Sequence, residues 1–187
     1  MEQITRQIAG ERGIPWVIIR PHNVFGPRQF CADQVRNVLG IFVNRAMRGE
    51  PLLIYGDGAQ TRAFSYIEDS MPCYLAAVEG SSADGHVINI GGEIPVTLNE
   101  AAEAIQEAFP GTEIRRVPGR YGEVKHAFSS HEKARRLLGF EERIGWREGL
   151  RRMIEWAKIA GPWEWEPILM SSPTAHTPAH WASRLWD

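Results

Sequence analysis

The chain has 187 residues, with 21 Lys and Arg against 23 Asp and Glu for a formal net charge of −2, and a mean hydropathy of −0.30. A chain of this size buries about 70% of its extended surface, enough for a core without disulfide staples, and its charge balance offers no basic stripe for nucleic acid. No apolar run approaches the ~20 residues that span a bilayer. The segment Met1 to Arg6 lacks a signal peptide's apolar stretch, and Cys31 and Cys73 are too few for a disulfide framework. The expectation is a cytoplasmic α/β protein.

Residues 2–12 have the spacing of an amphipathic helix, with Ile4 and Ile8 four apart, and Gly13 and Pro15 stop it. Trp16 to Ile19 is a continuous apolar run between prolines, the pattern of a parallel strand buried on both faces. Residues 21–33 read as loop, and Val35 to Arg48 as a helix ending at Gly49. Leu52 to Tyr55 is a short strand that runs into the turn Gly56-Asp57-Gly58, and Phe64 to Ile67 is extended. Asp69 is a candidate cap for a helix over 70–79, with Pro72 in its first turn. His86 to Ile90 is a further apolar strand. Thr97 with Glu100 three residues later forms a capping-box pattern that opens a helix to about Phe109. Glu113 to Val117 then reads as a strand, and 130–138 and 146–159 as helices. Residues 161–187 change character, with Trp163, Trp165, Trp181 and Trp186 among four prolines. So many aromatics do not suit a free disordered tail, and this segment is expected to lie across the body or a partner subunit.

Common fingerprints are absent. Gly56-x-Gly58 is followed by Thr61 where a third glycine would complete GxGxxG. His176 and His180 are four apart, but Pro178 between them spoils a helical metal pair, so no metal site is expected. Tyr121 to Lys125 matches YxxxK, yet Gly122 inside it argues against the helix such a pair needs. What remains is a set of anion-friendly loops: Asn23, Arg28, Arg62 and Arg120 all stand in Gly- or Pro-containing turns beyond apolar strands. Ligands in α/β folds bind at such strand ends. Two or three guanidinium forks converging there would suit a diphosphate.

At these loops the sequence resembles a known family. Arg20-Pro21-His22-Asn23-Val24-Phe25-Gly26-Pro27-Arg28-Gln29 looks like the RPxNVYGPRQ segment of the extended short-chain dehydrogenase/reductases, the NAD-dependent nucleotide-sugar epimerases and dehydratases. Gly49 to Arg62 resembles their GEPLxIYGDGxQxRD segment, Tyr66-Ile67-Glu68-Asp69 their YVxD, and Val87 to Gly91 their YNIG strand. Arg120 to Glu123 falls where RPGD or RPGE is expected, and Lys133 to Phe140 resembles SKARRLLGW. The match runs from residue 2 to about 158. Departures are Ala63 for the usual Asp, Ser130 and Glu132 in the DxSK pattern, and a shorter loop at Gly91-Gly92-Glu93.

The resemblance implies the C-terminal part of that fold. Residues 1–160 would form a small mixed α/β substrate-binding domain with dinucleotide-binding-sheet strands near 16–20 and 86–90, and 161–187 a tail. It implies substrate-binding roles for Asn23 on the diphosphate, and for Asn37 and Val38 on the nucleotide side. Leu53 and Tyr55 would line the base pocket, Arg62 and Arg120 clamp the diphosphate, and Glu123 accept from the ribose hydroxyls. His22 would stand on the cofactor side, near the nicotinamide. The complete family enzyme uses NAD. This sequence has neither the GxxGxxG turn nor the catalytic YxxxK helix, so no NAD binding and no catalytic residue are expected for these 187 residues alone. The expected activity is nucleotide-sugar epimerisation, at C4, in preference to dehydration; the alternative is a non-catalytic nucleotide-sugar-binding module or remnant. Partners expected are a nucleotide sugar and either a second copy of the chain or a chain that supplies the other half, with contact through residues 2–20.

Overall fold

In a computed structural model of the chain, the structure describes residues 1–166. These residues fall into two compact units, one formed by 1–26, 63–95 and 127–150, the other by 27–62, 96–126 and 151 onward.

The first unit begins with α1 (Glu2–Arg12), closed by Gly13 in the left-handed region at φ 62°, whose N–H reaches the carbonyls of Ala9 and Gly10. Strand β1 (Val17–Pro21) pairs in parallel with β6 (His86–Ile90), Val17 opposite His86 and Pro21 opposite Ile90. The apolar run at 16–19 thus finds its neighbour in the second apolar strand. Two-residue strands β2 (Val24–Phe25) and β5 (Ser65–Tyr66) also pair in parallel. Helices α3 (Ile67–Glu79) and α5 (Glu132–Leu138) pack with β6 around Cys73, Ala77, Ile88, Ile90, Ala134, Leu138 and Phe140.

Two expectations for α3 are corrected. The helix starts at Ile67 with Tyr66 as its cap, and Asp69 lies inside its first turn. The Asp69 carboxylate is turned away from its own helix and accepts N–H bonds from Arg143, Ile144 and Gly145, at 3.2–3.3 Å. Pro72 accordingly stands in the helix interior, beyond the first turn.

In the second unit α2 (Val38–Met47) starts three residues later than its apolar spacing predicts, because Asn37 adopts φ 63° and cannot continue the helix. Strand β3 (Leu52–Tyr55) pairs in parallel with β8 (Ile114–Val117), Tyr55 opposite Val117. Helix α4 (Leu98–Ala108) has the predicted capping box in full: Thr97 Oγ1 accepts from Glu100 N, and Glu100 accepts from Thr97 N. Leu39, Phe42 and Val43 of α2, Leu52 and Ile54 of β3, and Ala101 and Ile105 of α4 make this core. Strands β4 (Thr61–Ala63), β7 (Pro95–Thr97) and β9 (His126–Ala127) form a three-stranded sheet of order β7-β4-β9, and helix α6 (Gly145–Ala160) follows.

Of the Trp-rich segment, Trp163 exchanges two hydrogen bonds with the Asn44 side chain, at 3.0 and 3.1 Å, and stacks tilted on Trp156. Trp165 donates its indole N–H to Glu50. Trp181, Trp186 and the His176/His180 pair lie outside the described residues. Cys31 and Cys73 are buried and unbridged, and burial pushes the Cys31 thiol up to about 11.

Candidate functional site

The second unit builds a cavity of about 350 Å³ at the C-terminal end of β3, lined by Tyr55, the turn Gly56-Asp57, Arg120, Glu123, Lys125 and His126 among others. Alternation along β3 buries Leu52 and Ile54 and turns Leu53 and Tyr55 to the other face. The strand then enters a turn in which Gly56 and Gly58 both have positive φ, at 71° and 74°, a conformation glycine adopts without steric cost. Gly58 has a second reason to be glycine: a Cβ there would stand 2.1 Å from Asn99 Oδ1. The turn is tied down on all sides. Asn99 Nδ2 and Arg116 both donate to Asp57 O, Asn99 N donates to Gly58 O, and Gln60 Nε2 donates to Tyr55 O.

Arg120 lies over the Tyr55 ring, its guanidinium carbon 3.6 Å from the ring centroid. This is the cation–π arrangement, and it fixes the guanidinium plane before any ligand arrives. Arg62 is held differently. Its Nη1 donates to the carbonyls of Thr61 and Val124, both at 2.8 Å, and its Nη2 stands 3.5 Å from Glu123 Oε1. Thus Tyr55, Arg120 and Glu123 line one cavity, and Arg62 reaches it through Glu123.

The remaining predicted residues stand apart from this cavity's lining. Leu53 is on the same strand face as Tyr55. Asn37 caps α2, its carbonyl accepting from Ile41 N, and Val38 begins that helix. Asn23 and His22 belong to the first unit. Asn23, at φ 38°, donates from Nδ2 to Ala63 O. His22 donates its backbone N–H to Ile90 O, and its carbonyl accepts from Ser65 Oγ. Burial lowers the His22 imidazole below its ordinary value.

Sequence reasoning missed Lys125 and His126. Lys125 entered only as the end of YxxxK, a pattern that here forms a turn and no helix. His126 Nδ1 shares a 3.1 Å hydrogen bond with Thr61 Oγ1, and Lys125 O accepts from Thr61 N. The pairing of β4 with β9 brings these residues to the cavity, and two-residue strands leave no periodic signal. Among the described residues no group of three or more His, Cys, Asp and Glu could hold a metal ion, and no helix is long and apolar enough to cross a membrane.

The fold is α/β with parallel strand pairs, and the solved structures it is similar to include nucleotide-sugar epimerases. One is the UDP-glucose 4-epimerase of Thermotoga maritima with UDP-glucose, at TM-score 0.76 and 30% identity over 85% of this chain and 51% of that one. Another is the UDP-glucuronic acid 4-epimerase of Bacillus cereus in complex with UDP-glucuronic acid and NAD, at TM-score 0.77 and 27% identity over 85% and 50%. Among curated proteins, UDP-N-acetyl-alpha-D-glucosaminuronate decarboxylase of Bacillus cytotoxicus is 30% identical over 152 residues, 78% of this chain and 47% of its own length. The model of the NAD dependent epimerase/dehydratase family matches residues 1–91 of this chain. The chain spans about half the length of the relatives it matches.

Proposed function

We propose that the chain binds the nucleoside diphosphate part of a UDP-sugar, as the substrate-binding part of an NAD-dependent nucleotide-sugar enzyme. The carrying observation is the cavity at the end of β3, where Arg120 is pre-oriented on Tyr55 beside Glu123 and Lys125. A guanidinium fixed in its plane matches two phosphate oxygens at little further entropic cost. Tyr55 and Leu53 offer an apolar face to the base, Glu123 an acceptor to the ribose hydroxyls, and Asn37 and Val38 further contacts. The UDP part is supported by the two structural neighbours that hold a UDP-sugar. Of the family's activities we retain 4-epimerisation, which both of those neighbours carry in their names. His22 is assigned to the cofactor side.

A second reading is a nucleotide-sugar-binding module without chemistry. It is favoured by the form of the Tyr121 to Lys125 YxxxK match, which is a turn and no helix. Calorimetric titration separates the readings. Both expect saturable heat with UDP and UDP-glucose, and only the enzymatic reading expects turnover, with NAD, in a chain or complex that carries the whole fold. Arg120→Ala should weaken UDP binding by about 1.5–3 kcal/mol, the range for hydrogen bonds to charged groups. No saturable heat with either ligand would overturn both readings.

We further propose that the chain assembles through α1 and β1. Ile4, Ile8 and Ile14 are exposed large apolar residues at 59, 47 and 52%, and β1 is paired only with β6 among the described residues. An open strand edge beside apolar surface invites a further strand. Light scattering at micromolar concentration should give a mass above that of one chain, and a clean monomer would refute the assembly.

A further inference from the structure

The first unit contains a polar cluster that the substrate cavity does not use. Ser129 Oγ stands 3.0 Å from His22 Nε2 and 3.3 Å from His131 Nε2, so one hydroxyl bridges two imidazoles. The two rings meet edge to face, with centroids 5.8 Å apart. His131 is 1% exposed, and its ring also meets Phe128 and Phe140 edge to face. Its Nδ1 is sealed from solvent without a hydrogen-bond partner. His22 Nδ1 is not sealed in this way. The cluster is tightly enclosed, since a Cβ on Gly91 would stand 2.9 Å from His22 Cβ and 3.2 Å from His131 Nε2.

We propose that Ser129 and His131 are positioning residues that hold His22 in one tautomer, with its proton on Nδ1. A neutral imidazole carries one donor and one acceptor, and a hydroxyl gives one hydrogen. The three groups therefore form a directed chain, and only its direction is open. If His131 carried its proton on Nδ1, a buried N–H would face apolar rings with no acceptor, an arrangement folded proteins rarely tolerate. The proton therefore sits on His131 Nε2 and is donated to Ser129 Oγ. The Ser129 hydroxyl in turn donates to His22 Nε2, which must be the unprotonated nitrogen. That leaves His22 presenting an N–H at Nδ1, its open side.

Both rings are kept neutral by their surroundings. Burial lowers both imidazoles. At His131 the Glu93 carboxylate opposes this, while His22 and Arg135 reinforce it. Arg135 is itself paired with Glu93. The His22 main chain is pinned as well, through Ser65 Oγ, which donates to His22 O and accepts from Gly92 N. Ring and backbone together deliver one fixed donor, suited to an acceptor oxygen such as a carboxamide or a phosphate. The step from this donor to a nicotinamide cofactor rests on the cofactor-side assignment of His22 made above; the tautomer does not.

The test is ¹⁵N NMR of the intact chain labelled at histidine, at about pH 8, where these imidazoles are neutral. His22 should give a protonated signal at Nδ1 and an imine signal at Nε2. Ser129→Ala should turn it into a tautomer mixture, and Ser129→Thr, which keeps the hydroxyl, should restore the single form. His86, whose Nδ1 lies 2.8 Å from its local acceptor Asp84 O, reports that each variant is folded. A wild-type His22 protonated at Nε2, or a mixture, would overturn the proposal, as would a folded Ser129→Ala with His22 unchanged. Adding NAD to a chain or complex that carries the whole fold distinguishes the two claims: the stated tautomer with no response of His22 to NAD there supports the relay and refutes the cofactor-side assignment alone.

Discussion

Asp69 offers the sharpest test of how the first unit is held. The residue is 7% exposed, and its carboxylate accepts from three consecutive backbone N–H groups, with Ile144 N shared between both oxygens. Asp69→Ala leaves those three donors without their acceptor at the point where α6 starts. At 3.2–3.3 Å these bonds are long, so each is taken at about 1 kcal/mol, below the range for charged groups and typical of an ordinary hydrogen bond. Asp69 also stands in the first turn of α3, where a negative charge contributes roughly 0.5 kcal/mol. The expected cost is about 3–4 kcal/mol. Asp69→Asn keeps one acceptor oxygen and should lose about half as much. Urea unfolding of the full chain reads the stability, with an unchanged slope as the check that only stability moved. Hydrogen exchange at residues 143–145 reads the site itself and should accelerate in both variants. A loss below about 1 kcal/mol for Asp69→Ala, with exchange at 143–145 unaltered, would refute the bracing role.

Tyr55→Leu and Arg120→Ala, alone and combined, should couple by about 0.5–1 kcal/mol in UDP affinity by calorimetry, because the tyrosine acts by orienting the guanidinium; strict additivity would contradict this. Both amide atoms of Gln29 are sealed without partners, so Gln29→Met should raise stability by about 1 kcal/mol in urea unfolding. At Glu50, burial pushes the carboxyl up, but hydrogen bonds from Arg48 and Trp165 and the nearby Arg45 outweigh it and hold it below 4.5. A lowered folded value means a contribution that is complete above the unfolded value and lost as pH falls through the folded one. Glu50→Gln should therefore show a flatter acid limb below about pH 4.5 in thermal melts.

How far the sequence reveals the molecule depends on how local the determining interaction is. The Thr97–Glu100 box was readable because both partners lie within one turn of helix, and the strands at 52–55 and 86–90 because apolar runs need no partner to be seen. Asp69 misled because its residue type suits a cap, while the N–H donors it actually binds lie more than 70 residues on, at 143–145. Strands β2, β4, β5, β7 and β9 are two or three residues long and carry no period. At the cavity, the motif resemblance picked out Tyr55, Arg120 and Glu123 but not the stacking of Arg120 on Tyr55, 65 positions apart. Lys125 and His126 gave no signal, since what brings them in is the pairing of two short strands. His131 is the plainest loss: a single histidine between Phe128 and Phe140 in space looks in sequence like any core filler.

The two arginines that motif matching treats as equivalent are physically distinct, and the difference assigns them different work under the proposed function. Arg120 sits over the Tyr55 ring, its guanidinium carbon 3.6 Å from the centroid, and a guanidinium carries its five N–H donors in its plane. Arg62 is spent on protein: two carbonyls hold one nitrogen, and Glu123 stands against the other. Its Nη2 sits 3.5 Å from the carboxylate assigned to the ribose, so it holds Glu123 in place as an acceptor. It also ties down Val124, next to Lys125, through the carbonyl it holds. Arg62→Ala should then weaken UDP less than Arg120→Ala does, and its effect should shrink for a ligand without ribose hydroxyls, such as pyrophosphate, while that of Arg120→Ala persists. Calorimetry with UDP and pyrophosphate on both variants reads this directly. Equal losses for both ligands in both variants would return the arginines to the symmetric clamp that the motifs imply.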